Sequence, residues 1–108
     1  MDRIQYVSKT LGKLNLSESE AAQSFDSDML AYELLNGISD QSAINYRERT
    51  CHDNKCSLNI DVSCNETDKL KTIAEGIEKS NNVITIYQNP HSVHADMEDN
   101  KLSLKISN

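Results

Sequence analysis

The chain has 108 residues, which predicts one domain spanning residues 1–108. With 37% hydrophobic and 26% charged residues, the composition is that of a soluble globular protein, and no apolar run is long enough to cross a membrane. The net charge of -6 argues against nucleic acid or anionic membranes as direct partners.

The first residues and the cysteines predict a cytoplasmic location. Residues 1–6 carry charge where a signal peptide would begin its apolar region. Three cysteines are an odd number at irregular spacing, which is not typical of a secreted disulfide framework. We therefore expect reduced thiols, and a disulfide between Cys51 and Cys56 is not favoured.

Two N-terminal segments are predicted to be helical. The first covers residues 2–14, and its apolar stripe consists of Ile4, Val7, Leu11 and Leu14. The second covers residues 17–36, as one helix buried on much of its circumference or as two short helices that meet near Ser27. Gly37 is expected to end it in the C′ position.

Two registers are available to the hairpin that follows. If Cys51 pairs directly with Cys56, the apolar residues of the two strands fall on opposite faces. A shift by one residue makes residues 53–55 the loop, places the apolar residues on one face and sets Arg47 opposite Asp61. Because both patterns favour it, the shifted register is predicted.

Residues 56–86 follow the order strand, helix, strand. Alternation over residues 56–64 predicts a strand with one buried face. Asn65 stands where a helix N-cap belongs, and the helix after it has an apolar stripe formed by Leu70, Ile73, Ala74 and Ile77. A β-branched run then predicts a strand over residues 83–88, ended by Asn89 and Pro90.

The C-terminal residues predict a second hairpin. A two-residue loop at Asp99 and Asn100 brings the apolar positions of both strands onto one face. The expected pairs are Val93 with Ile106, Ala95 with Leu104, and Met97 with Leu102.

These elements predict an α+β fold in the order α-α-β-β-α-β-β-β. Five strands with at most one apolar face each imply a mainly antiparallel sheet that is covered on one side. The helices must share that side, which gives a two-layer sandwich.

An acidic segment is the strongest indication of function. Between Lys13 and Arg47 there is no basic residue, and the acids there are Glu18, Glu20, Asp26, Asp28, Glu33 and Asp40. These carboxylates predict a surface that docks a basic protein partner, as a regulator, an inhibitor or an immunity or anti-host factor, or as a mimic of nucleic acid. The alternative is a solvated helix face that serves only solubility.

The main alternative function is a small enzyme or ligand-binding domain that uses Cys51 with His91 or His94. A cysteine nucleophile needs a base within hydrogen-bond reach, and nothing in the sequence places these residues together. The three glycines stand alone, so no phosphate-binding loop is present. The cysteine and histidine spacing does not favour zinc. We therefore expect neither a metal nor a cofactor.

The uncovered face of the sheet is a second candidate surface. Its expected residues are mixed in charge and include Arg47, Arg49, Asp61, His94, Asp96 and Lys105. Tyr87 is its one expected aromatic residue if Ile84 and Ile86 face the core. A second copy of the chain could form a homodimer through this face or through an edge strand.

Overall fold

The structure is a computed structural model that describes residues 24–108. Its helices are α1 (Phe25–Leu35), a short 3₁₀ helix (Gln41–Ala43) and α2 (Thr67–Lys79). Its strands are β1 (Ile44–His52), β2 (Lys55–Ser63), β3 (Val83–Ile86), β4 (Asn89–Glu98) and β5 (Lys101–Ser107). The predicted helix over residues 2–14 and the start of the second helical segment lie outside the described residues.

The five strands form one antiparallel sheet in the order β1-β2-β5-β4-β3, with α1 and α2 packed on one face. α1 contacts β2 and β5, whereas α2 contacts β4 and β5. The central strand β5 alternates between the two faces, and its buried positions are Leu102, Leu104 and Ile106. The predicted α+β fold with helices on one side of a five-stranded sheet is confirmed.

α1 is buried around most of its circumference. Five consecutive residues, 27–31, are buried, so the helix lacks the wide solvent-facing side of an amphipathic surface helix. It ends at Leu35, followed by Asn36 in helical conformation. Gly37 therefore occupies the predicted C′ position, although its φ is not positive. The Gln41 side-chain amide instead donates to the backbone oxygens of Leu35 and Ile38, at 3.1 and 2.7 Å.

α2 begins one residue later than predicted. Its N-cap position is Glu66 rather than Asn65, and no side chain bonds to the open helix end there. The Glu66 carboxylate instead accepts hydrogen bonds from the backbone N–H and the hydroxyl of Ser39, at 2.9 and 3.2 Å. Glu66 therefore joins the start of α2 to the loop after α1.

The β4–β5 hairpin has the predicted register. Met97 pairs with Leu102 and Ala95 with Leu104, and Asp99 in the loop takes a φ of 53°. The boundary before β4 differs from the prediction, because β3 ends at Ile86. Tyr87 and Gln88 form a two-residue turn with positive φ at both positions.

Pro90 lies inside β4, not in a break before it. It pairs with Thr85 of the edge strand β3. The pairing of β4 with β5 ends at Ser92 and does not extend to Pro90. The missing N–H of Pro90 therefore interrupts no β4–β5 hydrogen bond.

The predicted register of the β1–β2 hairpin is wrong. Asp53 and Asn54 form a two-residue turn with φ of 51° and 65°, and the direct Cys51–Cys56 pair follows it. A bulge at Arg47, between paired Tyr46 and Glu48, then turns the first part of β1 so that its apolar residues reach the core. A uniform register cannot place the apolar residues at both ends of β1 on the covered face, whereas one extra residue in the strand does. Arg47 still reaches Asp61, at 3.8 Å, as predicted.

The direct register also forms a disulfide between Cys51 and Cys56, contrary to expectation. The two cysteines are directly opposite each other on the helix-covered face, where Cys56 is buried. Cys64 is a free, half-buried thiol.

Candidate docking surface

The structure disperses the acids that the sequence grouped. Glu18 and Glu20 lie outside the described residues. Asp26 is half-buried at the start of α1, and its carboxylate accepts a hydrogen bond from the Asn89 side chain at 2.6 Å. Glu33 is exposed near the end of α1.

Asp40 is exposed in the loop that follows α1, where it caps the 3₁₀ helix. Its carboxylate accepts a hydrogen bond from the Ser42 backbone N–H at 3.0 Å. Neither Glu33 nor Asp40 forms an ion pair with a residue that the structure describes. These two are therefore the carboxylates of the acidic segment that are presented to solvent within residues 24–108.

Asp28 is not on the surface. Its side chain is 4% exposed and forms an ion pair with Arg49, whose side chain is 2% exposed. The Ser24 hydroxyl donates to the second carboxylate oxygen at 3.0 Å. We therefore leave Asp28 out of the docking surface, because its charge is balanced inside the protein.

Arg49 lies on the covered face of the sheet, not on the open face where the sequence placed it. It is opposite Leu58, one of the fully buried residues of β2. Its Nε and Nη1 atoms are buried and meet no hydrogen-bond acceptor among residues 24–108. The bulge explains why Arg49 was placed on the wrong face. The side chains of residues 48–52 point to the face opposite to the one that the predicted, shifted register gave them.

Burial changes the titration of this pair. Desolvation raises the pKa of Asp28 to about 7, although the adjacent Arg49 guanidinium acts in the opposite direction. Burial, followed by the charge of Asp28, also raises the pKa of Tyr46. Asp28, Arg49 and Tyr46 therefore form a buried polar cluster between α1 and β1, whose desolvation opposes folding, rather than a charged surface.

An open groove of about 420 Å³ lies between the end of α1 and the first turns of α2. Its lining includes Leu34, Gly37, Ile38, Asp68, Lys69 and Ile73. The groove is mainly apolar and lies in the size range of ligand and peptide sites, which is about 300–1,000 Å³. No local sequence pattern indicates this groove, because its walls come from segments about thirty residues apart.

One hydrogen-bond network holds the two walls of this groove together. The Lys69 ammonium donates to the Gly37 backbone oxygen at 2.9 Å and pairs with the Glu66 carboxylate at 2.6 Å. Its hydrogen bond to Glu66 is the main reason that the pKa of Glu66 is lowered. The positive charge of Lys69 is therefore balanced by Glu66. Asp68 also lines the groove, and it forms no ion pair with a residue that the structure describes.

A second, more polar cleft of about 440 Å³ lies at one end of the sheet. Its lining includes Ser39, Asp40, Ser63, Cys64, Glu66 and Asn100. Within the described part of the chain, no three histidine, cysteine, aspartate or glutamate side chains are grouped so that they could hold a metal ion.

The structure does not assemble the alternative cysteine–histidine site. Cys51 is oxidised on edge strand β1, whereas His91 and His94 lie on β4, three strands away. At about 4.8 Å per strand this separation is about 14 Å, which is beyond proton-transfer distance. His91 is buried, with Nδ1 3.0 Å from the Asn89 backbone oxygen, and His94 is exposed on the opposite face.

The open sheet face has charges of both signs. Asp61 lies near its centre, where it accepts a hydrogen bond from the Ser103 hydroxyl at 3.1 Å and contacts Arg47 and Lys101. Tyr87 does not join this face, because its ring stacks on Phe25 of α1 with centroids 6.0 Å apart.

The chain matches no family model, no curated protein and no solved structure. Among residues 24–108, no helix has both the length and the apolar character needed to span a membrane.

Proposed function

We propose that this protein is a small protein-binding module that docks a basic partner through its N-terminal helical region. In this role it acts on the partner as a regulator or inhibitor, without a cofactor. The observation that carries the proposal is the charge of the described segment before Arg47. Residues 24–46 contain four acids and no base, and the buried pair with Arg49 accounts for only one of the four.

Electrostatics supports this role in a specific way. Exposed carboxylates without an internal cationic partner raise the rate of encounter with a cationic surface, and salt weakens that attraction. Glu33 and Asp40 are such carboxylates, and Asp26 adds a half-buried one at the other end of α1. Because Asp28 is neutralised internally, the proposed surface is Asp26, Glu33 and Asp40, extended by Glu18 and Glu20 of the N-terminal segment.

A charge-matched pair of variants tests the proposal. Glu33→Lys with Asp40→Asn removes two negative charges from the proposed surface and adds one positive charge, so the net charge rises by three, and the variant keeps a side-chain oxygen at the 3₁₀ cap. Glu75→Lys with Glu78→Gln makes the same change in net charge on the exposed side of α2. Cell lysate is passed over immobilised protein at low and at moderate salt, and retained proteins are identified by mass spectrometry.

The proposal expects a basic partner that wild type and the α2 variant retain equally. It also expects the Glu33→Lys/Asp40→Asn variant to lose that partner, and moderate salt to release it. Equal loss in both variants would mean that only net charge matters, which contradicts a specific surface. Retention of the partner by both variants would also contradict the proposal.

The predicted cytoplasmic location belongs to this proposal, and the disulfide makes it testable. Rapid alkylation of living cells followed by mass spectrometry measures the redox state of Cys51 and Cys56. Free thiols at both positions are expected in the cytoplasm, where glutathione and thioredoxin keep cysteines reduced. An intact Cys51–Cys56 bond in the cell would indicate an oxidising compartment instead.

A further inference from the structure

We propose that the groove between α1 and α2 binds an amphipathic helix of the partner, with apolar residues on one face and lysine or arginine beside them. This inference rests on the proposed function, because it specifies the chemistry of the basic partner. It adds a site that the acidic residues alone do not define.

The walls of the groove favour an apolar ligand. Ile38 is already buried at its base, whereas Leu34 and Ile73 are only half-buried and face each other from α1 and α2. Folding of the described residues therefore leaves apolar surface exposed in a concave site. Covering such surface with another apolar side chain removes it from water and favours binding.

The architecture of the groove favours a helix over other peptide conformations. Strand addition needs an exposed sheet edge, and polyproline recognition needs an aromatic-lined groove. The lining residues include no aromatic, and the walls are helical segments and the turn at Gly37. The Gly37 backbone oxygen already accepts a hydrogen bond from Lys69. The helix-in-groove mode is the one that these walls can support.

The charges around the groove specify basic flanks. Asp68 lies in the lining, and the exposed Glu33 directly precedes the lining residue Leu34 near the end of α1. The cation in the lining, Lys69, is already neutralised by Glu66. A ligand with lysine or arginine beside its apolar face therefore meets unpaired carboxylates on both walls, whereas an acidic ligand would be repelled.

The groove is also held in place before any ligand binds. Ser39 and Glu66 share two hydrogen bonds, and Lys69 bonds to Gly37, so the start of α2 is attached to the end of α1. A preformed site loses less conformational entropy on binding than one that must be ordered.

Two glycines provide a matched test. A Cβ atom built on Gly37 or on Gly76 has no heavy atom within 4 Å, so either position has open space where a side chain would begin. Gly37 lines the groove, whereas Gly76 is exposed on α2 one turn beyond Thr72 and Ile73 and is not part of the lining. We therefore expect Gly37→Phe to place a ring at the groove, and Gly76→Phe to add the same ring outside the lining.

The probe is a phage-displayed library of random 16-residue peptides, selected on the wild-type protein. We expect the enriched peptides to have apolar residues at i, i+3 or i+4, and i+7, with lysine or arginine beside them. A synthetic peptide of the enriched sequence is expected to bind Gly37→Phe at least tenfold more weakly and Gly76→Phe within twofold of wild type. Thermal unfolding of both variants verifies that each is folded.

Other outcomes overturn the inference in distinguishable ways. Enriched peptides without basic residues would contradict the stated partner chemistry, and equal binding to Gly37→Phe would show that the groove is not the site. If the natural partner is lost with Glu33→Lys/Asp40→Asn but retained by Gly37→Phe, the proposed function stands and the groove inference fails. If Gly37→Phe blocks the basic peptide but charge reversal has no effect on the natural partner, the proposed acidic surface fails instead.

Discussion

The two long hairpins reach the same covered face of the sheet by different means. In β4–β5, which packs under α2, every core-facing pair from Val93 to Met97 is apolar and the ladder is regular. In β1–β2, which packs under α1, the ladder contains a bulge and Arg49 occupies a core-facing position. We refer to β4, β5 and α2 as the apolar half, and to β1, β2 and α1 as the ion-pair half.

This difference determines how each helix is attached to the sheet. An apolar face accepts any helix of suitable shape, because hydrophobic burial has no direction. A buried guanidinium needs one particular carboxylate, so Asp28 and Ser24 specify the position of α1 over β1. The ion-pair half therefore depends on single residues more than the apolar half does.

The largest expected effect is in the ion-pair half. Above the pKa of Asp28, at about pH 8, Arg49→Ala leaves the buried carboxylate without its counter-ion, and we expect a loss of about 3–5 kcal/mol in unfolding free energy. That is a large part of the roughly 5–15 kcal/mol that stabilises a typical domain. Urea denaturation measures the change, and a loss below about 1 kcal/mol would mean that the pair does not hold α1.

A double replacement distinguishes the two halves. Arg49→Met with Asp28→Leu removes both charges and keeps apolar volume, so we expect stability equal to or above that of wild type. In the apolar half, Leu104→Ala is expected to cost about 2–5 kcal/mol by leaving a cavity. A double variant as unstable as Arg49→Ala would show that the pair is needed for more than charge balance.

The next effect is a pH dependence confined to the ion-pair half. The pKa of Asp28 is raised from 3.8 to about 7, so the folded protein holds a proton that the unfolded chain releases between these values. The stabilisation that comes from this bound proton is therefore complete below about pH 4. It falls by a few kcal/mol as the pH rises towards 7.

Asp28→Asn removes this titration and is expected to flatten the profile over that range. Urea denaturation at several pH values compares the two proteins, and parallel profiles would contradict the raised pKa. Tyr46, whose pKa is raised from 10.0, keeps its proton throughout this range.

The same contrast explains how far the sequence predicts the fold. The apolar half follows from alternation and from the tolerance of Asp99 for positive φ, so its register was predicted correctly. The ion-pair half did not follow from alternation, because a bulge breaks the period and Arg49 is polar at a buried position. The turn at Asp53 and Asn54 was the available signal, since both residues tolerate positive φ in a two-residue loop.

The docking surface was predictable only in part. Charge counting along the sequence found the acidic segment, but burial depends on which strand lies beneath each helix position, and Asp28 turned out to face Arg49. The groove was not predictable by local pattern, since Leu34 and Ile73 become neighbours only when both helices pack on one face. Hydrophobic periodicity describes a single helix or strand, whereas this groove is formed by residues of two helices.

The disulfide is expected to have a smaller effect on the ion-pair half. Reducing Cys51–Cys56, or replacing both with serine, opens a short loop with a sequence separation of 5, and we expect a loss of about 2 kcal/mol. Urea denaturation with and without dithiothreitol measures it. Cys64 is the free thiol, so titration should find one thiol per chain before reduction and three after. Three thiols in the untreated protein would contradict the bond.

The smallest expected effects are gains in stability, one beside each half. Gly76→Ala in α2 should stabilise the protein by about 1 kcal/mol, because alanine is the better helix former and its methyl group meets no neighbour. Gly37→Ala, after α1, should gain about 0.4–1 kcal/mol, because the native φ is not positive and alanine restricts the unfolded chain. Thermal or urea unfolding compares the two variants with wild type. A loss of stability in Gly37→Ala would mean that the turn after α1 requires glycine. The backbone conformation at position 37 would then hold this end of the groove in place, together with the hydrogen bonds of Gln41 and Lys69.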